Sequence, residues 1–180
     1  ASDVYKRQGF DFDKLHQVTK VAIKNLDRVI DVNYHPTDKI EKSNHAHRPV
    51  GLGIQGLADV FFKMHLPFDS EEALQLNRDI AETMYHAALE ASCEIAAQKG
   101  AYSSYDGSPI SHVQFQFDLW DEQPSSRWDW SQLKRQIAEH GVRNSLLIAQ
   151  MPTASTAQIL GNNEAFEAQT SNIYKRQTLS

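Results

Sequence analysis

The sequence predicts an α/β fold, with short parallel strands covered by longer helices as a layer or a barrel. Two apolar segments and their surroundings carry that expectation. Residues 49–56 (PVGLGIQG) are apolar and Gly-rich, and 144–149 (NSLLIA) read as a buried strand. Strands with one solvated face alternate, whereas strands buried on both faces do not. Helical periodicity flanks both segments, so the order reads helix, strand, helix, which is the pattern of a parallel sheet under helices.

The elements follow in chain order. Over 12–32, Phe12, Leu15, Ala22, Leu26 and Val29 recur at three- and four-residue steps and gather on one helix face. Asp11 is placed as its N-cap, and the pattern dissolves before Pro36. Residues 35–48 read as a polar connection holding His35, His45 and His47. After the first strand, a helix over 56–65 is ended by Pro67. The longest helix is 70–99. Ser70 and two glutamates open it, Ala73, Leu76, Ile80, Met84, Ala87, Ala91 and Ile95 form its stripe, and Gly100 closes it. Residues 101–128 read as irregular, broken by Gly107, Pro109 and Pro124 and packed by Tyr102, Tyr105, Phe115 and Phe117. A helix over 130–140 ends at Gly141, and the second strand runs directly into MPTAST. An echo, VYKRQ at 4–8 and IYKRQ at 173–177, is too short to be a structural repeat.

Composition narrows the function classes. The 180 residues are 41% hydrophobic and 23% charged, which suits a globular chain. Eighteen basic against 23 acidic residues give a net charge of −5, so nothing draws the chain to nucleic acid or to an anionic membrane. No apolar run nears the roughly 18–20 residues of a membrane span, and no signal peptide opens the chain. One cysteine, Cys93, excludes an internal disulfide, a cysteine-only zinc site and dithiol chemistry within this chain alone.

Residues 151–160 (MPTASTAQIL) are the main candidate for chemistry. Pro152 turns the chain out of the strand. Small side chains at Thr153, Ala154, Ser155 and Thr156 let a ligand reach backbone N–H groups at a helix start, where anions bind, and three hydroxyls add donors. An ordinary capping turn explains the same residues and, on the residues alone, has the greater weight. Ser155 as a hydrolase nucleophile lacks an elbow motif. His45 and His47 are spaced to hold a metal on a strand, but no further ligand stands at recognisable spacing, which favours solvated loop histidines. His86 and His140 lie on helices with no paired carboxylate pattern, and Cys93 reads as a small buried hydrophobe. GLGIQG (Gly51, Gly53, Gly56) matches G-x-G-x-x-G, but the region about 20 residues on is helical rather than a strand ending in an acid. Close strand–helix packing is the better account of those glycines.

Four stretches together resemble the class I ribonucleotide reductase large subunit of eukaryotic type. They are RPVGLGIQGLADVF at 48–61, LEASCEIAAQKGAY at 89–102, GVRNSLLIAQMPTASTAQILGNNE at 141–164 and TSNIYKRQTLS at 170–180. Trp130, Leu133, Gly141, Val142, Arg143, Asn144, Ala149 and Pro152 are similar to that family's recurrent signature. The resemblance implies a fragment of a ten-stranded α/β barrel, helix-rich, in an oxidoreductase that converts ribonucleoside diphosphates to 2′-deoxyribonucleoside diphosphates by a thiyl-radical mechanism. It makes the phosphate cradle the favoured reading, with Thr153, Ala154, Ser155 and Thr156 gripping the substrate diphosphate and Pro152 shaping the turn.

The departures from the family delimit what this stretch carries. The family's radical cysteine lies in an Asn-x-Cys-x-Glu pattern that does not occur here, and Cys93 matches neither member of the reducing pair. The expectation is therefore an internal part of the barrel with no catalytic residue of its own. The family's tyrosine pair and mobile cysteine tail are expected after it, and its allosteric nucleotide sites before it. The implied helpers are a metal–tyrosyl radical in a small subunit, ATP and dNTP effectors bound elsewhere, a large-subunit homodimer, and thioredoxin or glutaredoxin as reductant, in the cytoplasm. Residues 1–8 do not fit the family and resemble a translated sequencing adapter, so a non-native leader is expected there and a partial barrel domain over 9–180. A non-catalytic helical interaction domain derived from the same fold is the alternative.

Overall fold

The computed structural model describes residues 9–171, 173 and 175. The expected leader over 1–8 and most of the IYKRQ echo lie outside the described residues. The chain divides into two compact units. Of the described residues, the larger holds 10–52 and 78–149, and the smaller holds Gly9, 53–77, 150–171, 173 and 175.

In the larger unit, helix α1 spans Phe12–Val32 and is capped by Asp11, whose carboxylate accepts from the Lys14 amide at 2.8 Å. Its buried line is Thr19, Ile23 and Asp27. The predicted stripe of Phe12, Leu15, Ala22 and Leu26 is only half-buried, and Val29 is exposed. The face is rotated because Asp27 is drawn inward by polar partners, which an apolar pattern does not register.

Helix α2, Asp38–His47, replaces the predicted polar connection. Thr37 caps it by accepting from the Ile40 amide, and Arg48 ends it with a left-handed backbone. None of its residues is buried, so it leaves no hydrophobic stripe to read.

Helix α4, Glu71–Lys99, contributes residues 71–77 to the smaller unit and the rest to the larger. Every residue of its predicted stripe, from Ala73 to Ile95, is buried. Gly100 closes it with an N–H bond to the Ala96 carbonyl at 2.7 Å. The core of the larger unit joins Ala88, Leu89, Ala91 and Cys93 to Ile23, Tyr102, Phe115, Trp130, Leu133, Ile137 and Val142. Phe115 and Trp130 meet at right-angled ring contacts with Phe117.

The stretch expected to be irregular contains a 3-10 turn, Pro109–His112, and a short helix, α5, Gln116–Leu119. Asp118 accepts from the Phe115 amide at 2.8 Å and pairs with Lys134 at 2.7 Å, which ties α5 to helix α6, Trp130–His140. Asp129 caps α6 by accepting from the Gln132 amide at 2.8 Å. Gly141 follows with φ +70, and a Cβ there would meet the Ala101 side chain at 3.0 Å and Tyr105 at 3.2 Å, so a larger residue would have to push both aside.

The two predicted strands shrink to one contact. Leu52 and Ile148 form a parallel bridge, supported by Val50 N–H to the Leu146 carbonyl (3.0 Å), Leu52 N–H to Leu147 (2.9 Å) and Ala149 N–H to Leu52 (3.0 Å). The segments do pair in parallel as expected. No longer strand exists among the described residues, and Leu146 is exposed rather than buried on both faces. Two short segments with only each other to pair with make too few ladder bonds for a sheet. Among the described residues the architecture is helix-rich, as expected, and the parallel pairing of the two segments is limited to this bridge.

The smaller unit holds helix α3, Leu57–Met64, which buries Leu57, Ala58 and Phe61, and helix α7, Ala154–Leu160. Pro67 follows α3 by three residues, and the helix itself stops at a left-handed His65. Among the described residues no helix is long and apolar enough to cross a membrane.

Candidate phosphate-binding turn

In the smaller unit the predicted residues divide by what their hydroxyls already do. Thr153 is the N-cap of α7, but its hydroxyl accepts from the Ala165 amide at 2.7 Å instead of capping its own helix. Thr156 donates to the Gln55 side-chain carbonyl at 2.9 Å. These bonds hold the turn to the 161–165 loop and to the GLGIQG segment. Ser155, Ala154 and Pro152 are exposed, and no described side chain hydrogen-bonds the Ser155 hydroxyl. The first intrahelical bond runs from Ala157 N–H to the Thr153 carbonyl at 2.8 Å. The amides of Ala154, Ser155 and Thr156 therefore lead the helix without partners inside it. With only seven residues in α7, the turn can attract an anion through these donors and little through a helix dipole.

The turn sits on a braced floor. Asp59 accepts from the Asn163 amide at 2.7 Å, Gly56 N–H donates to the Asn163 carbonyl at 3.0 Å, and Ile54 N–H donates to the Gln150 side chain at 3.1 Å. Gly56 caps α3 at φ +80, with Asn162 3.4 Å from where a Cβ would stand. Backbone geometry and that close approach account for this glycine without a dinucleotide.

The other candidates separate. His45 and His47 lie two apart on a helix, so they point to different sides. His45 meets the His35 ring edge-on at 5.3 Å, and His47 bonds the Ser104 hydroxyl at 2.5 Å. Cys93 is buried, and burial pushes its thiol up to about 11, which leaves it inert at neutral pH. Ser155 has no histidine or carboxylate bonded to it among the described residues, so nothing there would activate it as a nucleophile. His86, read as lacking a carboxylate pattern, has Glu90 one turn along the same helix and His16 3.0 Å away. The His86–Glu90 spacing was legible; the approach of His16, 70 residues away in sequence, was not.

Sequence reasoning also missed what Arg48 and Asn144 do. Both lie in the family-like stretches, and both are buried. Arg48 donates through Nε to Asp27 Oδ1 at 2.8 Å, through Nη2 to the Asp27 carbonyl at 2.9 Å and through Nη1 to Asp31 at 2.7 Å. Asn144 Nδ2 donates to Asp27 Oδ1 at 3.0 Å and to the Arg48 carbonyl at 3.1 Å. Ser92 closes the set, donating to Asn144 Oδ1 at 2.9 Å and accepting from its amide at 3.0 Å. The only early signal was the presence of these polar residues beside apolar segments.

The model of the ribonucleotide reductase barrel domain matches residues 2–180. The chain belongs to that family. Within it the chain is similar to ribonucleoside-diphosphate reductase large subunits. It is 60% identical over 171 residues to the one from Caenorhabditis elegans, covering 95% of this chain and 22% of that protein. It is 59% identical to the Schizosaccharomyces pombe large chain over 95% of this chain and 21% of that protein. For the Danio rerio large subunit the identity is 57%, over 98% of this chain and 22% of that protein. The chain thus spans about a fifth of the length of these relatives.

Proposed function

We propose that this chain is the section of a ribonucleoside-diphosphate reductase large subunit that grips the diphosphate of the substrate, through Pro152, Thr153, Ala154, Ser155 and Thr156. The observation that carries the reading is the family match over residues 2–180, with the PTAST turn inside the matched stretch. In this reading the amides of Ala154, Ser155 and Thr156 and the Ser155 hydroxyl donate to phosphate oxygens. The Thr153 and Thr156 hydroxyls keep the turn in shape through Ala165 and Gln55. Pro152 sets the exit from the preceding segment. Fixed donors of this kind hold a charged group without reorganising when it arrives.

The reaction assigned to the whole protein is reduction of ribonucleoside diphosphates to 2′-deoxyribonucleoside diphosphates. This chain contributes no catalytic residue to it. The thiyl radical and the reducing cysteine pair belong to other parts of the large subunit. A small subunit generates the radical with its metal–tyrosyl group, and ATP and dNTP effectors act at separate sites. The partners in this reading are the small subunit, a second large subunit, and thioredoxin or glutaredoxin.

The test is Ser155→Ala in the intact large subunit. Loss of one donor to a charged group costs about 1.5–3 kcal/mol, so nucleoside diphosphate affinity should fall about tenfold to a hundredfold. Unchanged affinity in a direct binding titration would sink the cradle. KM should rise with it, because the contact exists in the ground state as well as later.

A further inference from the structure

Three metal-ligating side chains converge in the larger unit at a place the function proposed above does not use. His16 comes from α1, and His86 and Glu90 lie one turn apart on α4, on the same face. His16 Nε2 stands 3.0 Å from His86 Nδ1 and 3.5 Å from Glu90 Oε2, and one ligand atom from each of the three side chains lies within 4.8 Å of the others. Ligands bound to zinc at about 2.0–2.2 Å in a tetrahedron are about 3.3–3.6 Å apart, so the 3.5 Å separation suits a shared ion and the 3.0 Å one has to open by a few tenths of an ångström.

The surroundings hold the rings in place. The Trp128 indole stacks on both imidazoles, with centroids 4.3 Å from His16 and 5.3 Å from His86, and its N–H is fixed by the Thr83 hydroxyl at 3.1 Å. Burial pushes His86 down to about 4 and also lowers His16, which favours the neutral rings. Their 3.0 Å contact holds a proton on one of the two facing nitrogens, and that proton passes to the far nitrogen of its ring when both face a metal. The side chains of His16 and Glu90 keep 12% and 28% exposure, while Glu90 Oε2 itself is turned inward and sealed from solvent.

One cation already stands nearby. Lys20 Nζ is 2.8 Å from Glu90 Oε2, but that oxygen makes no well-aligned hydrogen bond. Lys20 also pairs with Glu94 at 2.6 Å, and Glu94 takes Lys24 at 2.8 Å. Lys20 can therefore retain Glu94 when another ion occupies Glu90.

We propose that His16 Nε2, His86 Nδ1 and Glu90 Oε2 form a three-ligand site for a divalent transition-metal ion, zinc foremost, with a fourth position open to water. Two imidazoles and one carboxylate favour zinc or cobalt over calcium and magnesium, which take oxygen ligands. The assignment does not depend on the reductase reading.

Zinc alone is the probe, added to the intact polypeptide that carries this chain. By equilibrium dialysis with metal analysis, the wild type should hold one zinc more than His16→Gln or Glu90→Gln. The affinity at this site should fall more than about 100-fold in either variant, beyond what an outer-shell change costs. Lys20→Met leaves all three ligands and removes the competing ammonium, so its zinc affinity should rise. Crystals soaked in zinc need no variant: an anomalous map at the zinc edge should show a peak about 2.0–2.2 Å from the three named atoms. Equal zinc uptake by wild type and both ligand variants, no gain in Lys20→Met, or a map without that peak at saturating zinc each overturns the assignment.

Discussion

In the larger unit Asp27, Arg48, Ser92 and Asn144 are sealed from solvent and bonded to one another, whereas in the smaller unit Pro152 to Thr156 stand at the surface with two hydroxyls engaged. Both sets lie within family-like stretches and both are rich in small or polar residues, yet they do opposite things. The buried set bonds within itself, with Asp27 Oδ2 left without a hydrogen-bond partner among the described residues, and is closed to solvent. The exposed set uses Thr153 and Thr156 to fix its shape and leaves the Ser155 hydroxyl and three amides facing outward. Resemblance to a family marks residues of both kinds alike. Burial and hydrogen-bond partners tell a structural polar residue from one available for binding.

The hardest test of that contrast is Asp27→Ala. It leaves Arg48 buried with only Asp31 as an ion partner and takes an acceptor from Asn144. The expected loss is about 3–5 kcal/mol in urea denaturation. Replacing both partners, Asp27→Leu with Arg48→Met, should cost much less than the single change, since no buried charge is left unpaired. A small effect of Asp27→Ala would break the contrast at its structural end.

Ser155→Ala probes the other end. Its effect of about 1.5–3 kcal/mol should appear in nucleoside diphosphate binding. The denaturation midpoint should move by no more than about 0.5 kcal/mol, as for an ordinary surface substitution. A destabilised fold with unchanged binding would place Ser155 with the structural set.

Gln55→Ala falls between the two. It removes the nearer acceptor of the Thr156 hydroxyl, leaving the Thr153 carbonyl at 3.2 Å, without touching the unpaired donors. Binding should weaken by about 0.5–1.5 kcal/mol, less than in Ser155→Ala, in the same titration. An effect larger than that of Ser155→Ala would mean that shape outweighs direct donors in this turn.

The smallest expected effect concerns pH. Burial alone would raise the Asp118 carboxyl, but the Lys134 ammonium and the Phe115 amide outweigh it and hold the group below the ordinary carboxylate value. As pH falls, the unfolded chain takes up this proton first. The contribution to stability is therefore complete above the ordinary value and is lost as pH falls through the lower folded one. Asp118→Asn should flatten that part of the acid-unfolding curve, measured by circular dichroism. An unchanged slope would show that the Asp118–Lys134 pair does not stabilise the fold.

Helices α1, α4 and α6 were legible almost to the residue because their signals are local. Asp11 and Asp129 cap their own first turns, Gly100 and Gly141 close their own last turns, and the α4 stripe repeats within one helix. Helix α2 was missed because it buries nothing, so its sequence has no periodic face. The strands were over-read because apolar runs report a buried strand only when neighbours supply the rest of the sheet. Among the described residues Leu52 and Ile148 bridge only to each other. The PTAST turn was found as a turn, but its division into bracing and outward-facing hydroxyls was not legible, since Gln55 and Ala165 lie 101 and 12 residues away from Thr156 and Thr153.

By itself the sequence determined the family, the long helices with their caps, and the absence of dithiol chemistry within this stretch, because each depends on residue identity or on contacts within a turn. The tertiary structure alone decided that Asp27 faces inward, that Arg48 and Asn144 are structural, and that His16 meets His86 and Glu90. Those pairings join residues between 17 and 117 positions apart or side chains on different helices. A carboxylate or an imidazole has the same chemistry in any sequence. What it does depends on which charges and donors the folded chain brings within about 3 Å of it, and on how much water it keeps.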